Sequence, residues 1–266
     1  AAAVQAGFHA AGSDTVDLGI VPVGCVSFLT ASTRASYGVM VSASHNPSDD
    51  NGIKLFASDG TKLDPEREAA VEARYRHGAP WVEVAGADIG IQTGLPRALD
   101  QYLEHLAGRS RYALHGISVA LDCAQGAAFR AAPALFKRLG ADVAAFACEP
   151  SGTNINDGCG ATHPGFLGER ANGRVGLAFD GDADRCIAVD EDGVTVNGDV
   201  IMVILANHLH QQGALPGDLV VATVMSNLGF HLALRGLGLN VAETPVGDRH
   251  VLEEMRRRGA GLGGEQ

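Results

Sequence analysis

Val175-Gly176-Leu177-Ala178-Phe179-Asp180-Gly181-Asp182-Ala183-Asp184-Arg185-Cys186-Ile187-Ala188-Val189 is the stretch on which the fold turns. Val175 to Phe179 is a short apolar run that predicts a buried strand, and Ile187 to Val189 predicts another. The loop between them alternates three aspartates with small residues. Alternate residues of an extended segment point the same way, so three carboxylates can converge on one cation. Gly181 and Ala183 leave room for the bend. A set of ligands made only of oxygen suits Mg²⁺ or Ca²⁺ rather than zinc. A solvated acidic turn is the plainer alternative, set back by the apolar strand on each side. The loop is no EF-hand, because the closing Glu and the other ligand positions are absent. Arg185 suits a phosphate oxygen, and a local ion pair with an Asp is equally physical.

Outward from this loop the same unit recurs: a β-rich run, a turn, an amphipathic helix. Further strands are expected at 15–20, 37–41, 53–57, 117–122, 142–146, 219–224 and 240–243. Helices are expected at 1–11, 22–33, 65–77, 96–106, 127–139, 199–212, 227–237 and 249–258. Such alternation predicts an α/β fold: tandem α/β domains with mixed sheets sandwiched by helices. Three blocks are expected, at 1–95, 96–196 and 197–266, with Gly78-Ala79-Pro80 and Gly94-Leu95-Pro96 as the best loop signals. Gly140 and Gly238 stand where left-handed helix caps belong, and Pro22, Pro65 and Pro96 where a first helical turn tolerates proline.

Composition limits the function. The 266 residues are 46% hydrophobic and 19% charged, with net charge −11. An acidic surface repels phosphate backbones, so nucleic acid is excluded as a partner. No apolar run is long enough for a membrane span, and no membrane partner is expected. Cys25, Cys123, Cys148, Cys159 and Cys186 are scattered and odd in number, which fits buried thiols in a reducing cytoplasm. The start, Ala1-Ala2-Ala3-Val4-Gln5, has no basic n-region and reads as the middle of a helix; with the abrupt Gly263-Gly264-Glu265-Gln266 it reads as one end of a fragment.

A second polar loop follows the strand that ends at Val41: Ser42-Ala43-Ser44-His45-Asn46-Pro47-Ser48-Asp49-Asp50-Asn51-Gly52-Ile53-Lys54. Pro47 keeps Asn46 out of helix, and Asn51-Gly52 signals a tight turn. The loop sits at the C-terminal edge of a strand, where open α/β sheets bind ligands. The alternative is a hairpin loop whose Ser and Asn cap its own amides. Ser44-His45 is not a dyad, since adjacent extended side chains diverge, and His45 shapes the loop. A phosphate on the serine would add an oxygen ligand to the acidic site.

Together these loops resemble the α-D-phosphohexomutase superfamily. Ser42 to Pro47 with Asp50 to Lys54 resembles its phosphoserine loop, Asp180 to Arg185 its metal loop, and Gly264-Glu265-Gln266 the start of its sugar-binding loop. Ala183, Gln266, Asn154 to His163 and Val246-Gly247-Asp248-Arg249 resemble the phosphoglucosamine mutase branch. The resemblance implies four domains around a cleft, of which this chain holds 1 to 3 in part. It implies Ser44 as the phosphoserine, and Mg²⁺ held by Asp180, Asp182, Asp184 and the Ser44 phosphate. Lys54 is implied in proton transfer, Arg185 beside the phosphoryl group, and His45 in the same catalytic set. Glu265 would bind sugar hydroxyls, and Asp248 and Arg249 lie in a substrate-facing loop. The implied substrate is a phosphorylated amino sugar, and a homodimer stays open.

The resemblance also implies that the first part of domain 1, with an arginine-bearing loop, the Ser-Gly-His after Gln266 and domain 4 lie outside this chain. The stretch 163–174 is shorter than the family's and is expected to lack a helix. Two other enzymes stay open: a phosphomannomutase/phosphoglucomutase of the same superfamily, and a haloacid-dehalogenase-like phosphatase using Asp180-x-Asp182. A non-catalytic metal- or phosphate-binding piece is the third alternative. His208 and His210 diverge on a helix and are no metal pair, Trp81 is a packing anchor, and Arg256 to Arg258 favour a helix dipole.

Overall fold

The computed structural model describes residues 1–78 and 84–266. Trp81, Ala79 and Pro80, singled out above, lie outside the described residues. The elements run α1 (Ala2–Ala10), β1 (Thr15–Asp17), α2 (Val23–Ser32), β2 (Tyr37–Ser42), β3 (Gly52–Ala57), α3 (Pro65–His77), β4 (Gln92–Gly94) and α4 (Ala98–Arg109). Next come β5 (Ser118–Asp122), α5 (Ala128–Arg138), β6 (Asp142–Phe146), α6 (Gly165–Gly168), β7 (Val175–Phe179), β8 (Cys186–Val189) and β9 (Thr195–Val196). The last are α7 (Gly198–Gln211), β10 (Leu219–Thr223), α8 (Leu228–Gly236), β11 (Asn240–Thr244), α9 (Asp248–Arg258) and β12 (Leu262–Gly264).

Among the described residues, strands pair only within three units: β1 to β4, β5 to β9 and β10 to β12. In the first, β1 pairs with β4 in parallel, and β2 with β3 in antiparallel from Tyr37↔Ala57 to Ser42↔Gly52. The serine loop is therefore the connection of a hairpin. The central sheet has the order β6-β5-β7-β8-β9, parallel across β6, β5 and β7 and antiparallel beyond. The last sheet, β11-β10-β12, is parallel throughout.

Both faces of the β6-β5-β7-β8-β9 and β11-β10-β12 sheets are covered at β5 and β10, which is why these two strands are apolar without alternation. In β5, Val119 and Leu121 pack with Ala128 and Ala132 of α5, while Ala120 points to the other face with Leu167 of α6. In β10, Val220 and Ala222 face the cluster of α7 and α8, and Val221 faces Val251 of α9. A fully buried leucine such as Leu121 or Leu234 contributes about 1.5–3 kcal/mol. No helix among the described residues is long and apolar enough to cross a membrane.

Helix punctuation follows local chemistry. Asp64 caps α3 by accepting from the Arg67 amide, Pro65 fills the first turn, and Gly78 closes it at φ 60°. Asn197 and Asn227 cap α7 and α8 in the same way. Gly140 and Gly238 adopt φ 94° and 76°, as their positions predict. Pro22 instead precedes α2 as its cap residue, and Pro96 stands before Arg97, the cap of α4.

The structure departs from expectation in short elements. β1 stops at Asp17 because the Asp17 carboxylate accepts from the Gly19 amide and turns the chain. The strands β4, β9 and β12 and the helix α6 are too short to carry a period. The stretch 163–174 holds the one-turn helix α6. The thiols are only partly as expected: Cys25, Cys123 and Cys159 are buried, Cys148 is half-buried and Cys186 is exposed.

Candidate functional site

The serine loop of the first unit and the acidic loop of the second meet backbone to backbone. The Gly181 amide donates to the Ser44 carbonyl at 3.1 Å, and the Val23 amide donates to the Asp182 carbonyl at 2.9 Å. Asn156 Nδ2 donates to the Ser44 and Asn46 carbonyls at 2.8 and 2.9 Å. These bonds bring Ser44 Oγ to 3.5 Å from Asp180 Oδ2, across 136 residues of sequence. That separation is long for a hydrogen bond but close enough for both oxygens to share one cation. Ser44 has φ 54° and Ala183 φ 61°, so each loop turns through a conformation that a side chain disfavours.

Glycines make the close approach possible. A β-carbon on Gly181 would run into the Ser44 carbonyl and the Ile155 side chain. One on Gly126 would run into the Gly181 backbone, which also accepts from the Ala127 amide at 2.8 Å. Gly181→Ala should therefore cost about 1–3 kcal/mol, the range for inserting a methyl into filled space. Thermal unfolding measures the loss; an unchanged midpoint would show that the contact yields.

Asp180, Asp182 and Asp184 each present a carboxylate oxygen within 4.8 Å of the others, the first two buried and the third exposed. Burial, then the charges of Asp184 and Asp182, pushes Asp180 up to about 6. Burial likewise raises Asp182 against the pull of Lys54. At Asp184 burial is outweighed by Lys54, Lys62 and Arg185, and the group lies below the usual carboxylate range. Lys54, on β3, places Nζ 2.6 Å from an oxygen of both Asp182 and Asp184. Burial alone would lower Lys54, but these two carboxylates raise it. The contact with Asp184 is a hydrogen bond. That with Asp182 is an ion pair through Oδ2, while the buried Asp182 Oδ1 has no hydrogen-bond partner among the described residues. A buried carboxylate oxygen without a donor is costly unless a cation meets it. The all-oxygen cluster therefore fits a hard divalent ion.

The remaining predicted residues fall in two places. His45 is half-buried beside Ser44 with Nδ1 unpartnered, and Arg185 is exposed, its amide donating to Asp180 Oδ1 at 3.1 Å. In the third unit, Glu265 Oε1 accepts from the Gly247 amide at 2.9 Å and ties together the loops before α9 and after β12. Asp248 and Arg249 reach the first unit: Asp248 pairs with Lys62 at 2.7 Å, and Arg249 donates to the Leu63 carbonyl and Glu68 at 2.8 and 2.9 Å.

Sequence reasoning passed over Asp122 and Asn156. Asp122 is fully buried at the end of β5 and accepts from the Ala124 and Gly160 amides at 2.9 and 2.6 Å, fixing the turn beneath the acidic loop. An Asp ending an apolar strand at the ligand-binding edge is a signal that could have found it. No comparable signal marks Asn156.

Models of three successive domains of phosphoglucomutase/phosphomannomutase match this chain in order: α/β/α domain I over residues 1–80, domain II over 100–193 and domain III over 197–266. The chain belongs to the phosphoglucomutase/phosphomannomutase family. Among relatives in this family, the phosphoglucosamine mutase of Rhodococcus erythropolis is 50% identical over 268 residues, spanning 100% of this chain and 60% of the relative. That of Pelotomaculum thermopropionicum is 48% identical, again over 100% of this chain and 60% of the relative. The chain thus spans about three-fifths of the length of the curated relatives it matches. A phosphoglucomutase/phosphomannomutase family protein of Burkholderia thailandensis superposes with a TM-score of 0.84 at 25% identity, over 99% of this chain and 58% of that one. The fold also matches Aspergillus fumigatus N-acetylphosphoglucosamine mutase, solved with GlcNAc-6P and magnesium, at TM-score 0.65 and 19% identity over 99% of this chain and 63% of that one. Membership in this family sets aside the dehalogenase-like phosphatase.

Proposed function

We propose that the protein carrying this chain is a phosphoglucosamine mutase. It interconverts glucosamine 6-phosphate and glucosamine 1-phosphate through phosphorylated Ser44 and a 1,6-bisphosphate. The approach of Ser44 Oγ to Asp180 in the acidic cluster carries this reading, and the relatives' name supports the choice of sugar.

Ser44 gives its phosphate to the free sugar hydroxyl. The bisphosphate reorients, and Ser44 Oγ takes back the other phosphate. Asp180, Asp182 and Asp184 would hold Mg²⁺, whose charge would offset that of the phosphoryl oxygens when bound. Lys54, held as the ammonium between Asp182 and Asp184, carries the proton transfer: it gives a proton to Ser44 Oγ as the phosphate leaves and regains one from the attacking sugar hydroxyl. Arg185 steadies the phosphoryl group, and His45 holds the shape of the loop. Glu265 accepts from sugar hydroxyls, and the Asp248 and Arg249 contacts hold the third unit's loop near the first. The work is cytoplasmic, and a homodimer is compatible with it.

Coupled assays of the full-length protein on glucosamine 6-phosphate and mannose 6-phosphate test the assignment. Glucosamine 6-phosphate should win by at least about tenfold in kcat/KM, a difference of roughly 1.4 kcal/mol in transition-state binding. A preference for mannose 6-phosphate would make the protein a phosphomannomutase/phosphoglucomutase.

A further inference from the structure

We infer that Asn156 is a positioning residue for Ser44: its side-chain amide sets the direction of the reacting hydroxyl without touching it. The inference rests on Ser44 being the phosphoryl acceptor. Asn156 is 7% exposed and lies in the loop between β6 and α6. Both hydrogens of its amide go to the serine loop, one to the Ser44 carbonyl and one to the Asn46 carbonyl. The Ser44 carbonyl also accepts from the Gly181 amide, so two donors from the second unit grip it.

The grip matters because of the backbone it acts on. Ser44 has φ 54°, a conformation that the chain leaves unless something holds it. Fixing the Ser44 carbonyl fixes the peptide plane after Ser44, and with it the direction of the Cα–Cβ bond that carries Oγ. Asn156 is itself held in place: its amide donates to the Ala124 carbonyl at 2.9 Å, and Ala124 is pinned by fully buried Asp122. Its own φ of 58° is one that asparagine accepts more readily than most residues.

The chemistry selects this side chain. Two carbonyls need two donors, and asparagine supplies them without charge. Aspartate has the same shape but only acceptors, and an Asn156 amide turned the other way would set its oxygen against both carbonyls. The Asn156 oxygen has no hydrogen-bond partner, so the donors alone decide the orientation. Misplacing a reacting atom by an ångström is enough to cost about 100-fold in rate.

Asn156→Gly and Asn156→Asp in the full-length protein test this, since both residues tolerate the left-handed backbone. Phosphate transfer to Ser44 from glucosamine 1,6-bisphosphate is followed in single turnover by intact mass, beside steady-state kcat and KM and a thermal midpoint. Both variants should transfer about 100-fold more slowly. KM and magnesium dependence should stay within about threefold, and the midpoint within a few degrees. Transfer at the wild-type rate in either variant overturns the positioning role. So does slowing accompanied by loss of fold in both, which would make Asn156 a structural residue. If the wild-type protein takes up no phosphate on Ser44, the proposed function itself fails, a result distinct from the other two.

Discussion

Ser44→Ala is expected to leave the chain folded and, with the hydroxyl as the proposed acceptor, to cut phosphate exchange at least roughly 1,000-fold. The fold survives because no partner depends on Ser44 Oγ beyond its long approach to Asp180. The bonds that shape the loop run to the Ser44 carbonyl, which alanine keeps. Ser44→Gly separates the chemistry from the backbone. Relief of a left-handed residue stabilises by about 1–2 kcal/mol, and the extra freedom of glycine in the unfolded chain offsets about 0.5–1 of that. The glycine variant should therefore be inactive yet as stable as the parent protein or more so. Intact mass after incubation with bisphosphate reads the first effect and thermal unfolding the second. Near-full turnover in either variant would remove Ser44 from the reaction.

The second large effect is expected at Asp182. Its carboxylate is buried, pairs with Lys54 through Oδ2 and leaves Oδ1 without a donor. Asp182→Asn removes a charge from the cluster and frees Lys54 to pair with Asp184 alone. Wild-type protein at a magnesium concentration 100-fold over its dissociation constant should gain about 2.7 kcal/mol of stability by mass action. The variant should lose most of that gain and about 100-fold or more in turnover. Melting with and without magnesium measures the binding apart from activity. An identical magnesium-dependent shift in the variant would show that Asp182 is no ligand.

Much of this site was legible because its groups are contiguous in sequence. Asp180, Asp182 and Asp184 converge as their spacing suggested, but on a turn through Ala183 at φ 61° and not on the extended segment expected. Ser44 was legible through the loop around it, between Pro47 and Asn51-Gly52. The partnership of the two loops was legible only through the family resemblance; the contacts that make it, at Gly126, Gly181 and Asn156, cross a boundary that no period marks. The contact of Asp248 with Lys62 and of Arg249 with Glu68 is hidden for the same reason: pairings between remote charges leave no trace in local pattern. The short strands β4, β9 and β12 were missed because each owes its existence to a neighbour, β1, β8 or β10, and not to its own composition.

The glycine-lined seam has a consequence for how such a protein can change. Gly126, Gly181 and the Ser44 carbonyl lie in layers one peptide thick. The gap between the Ser44 hydroxyl and the acids is therefore gauged by main chain, and only substitution of the glycines themselves can resize it. Substitutions in the surrounding walls can retune which sugar is accepted while the reacting centre keeps its dimensions. An engineer seeking a new substrate would leave this seam alone and randomise the loops around Glu265 and Gly247.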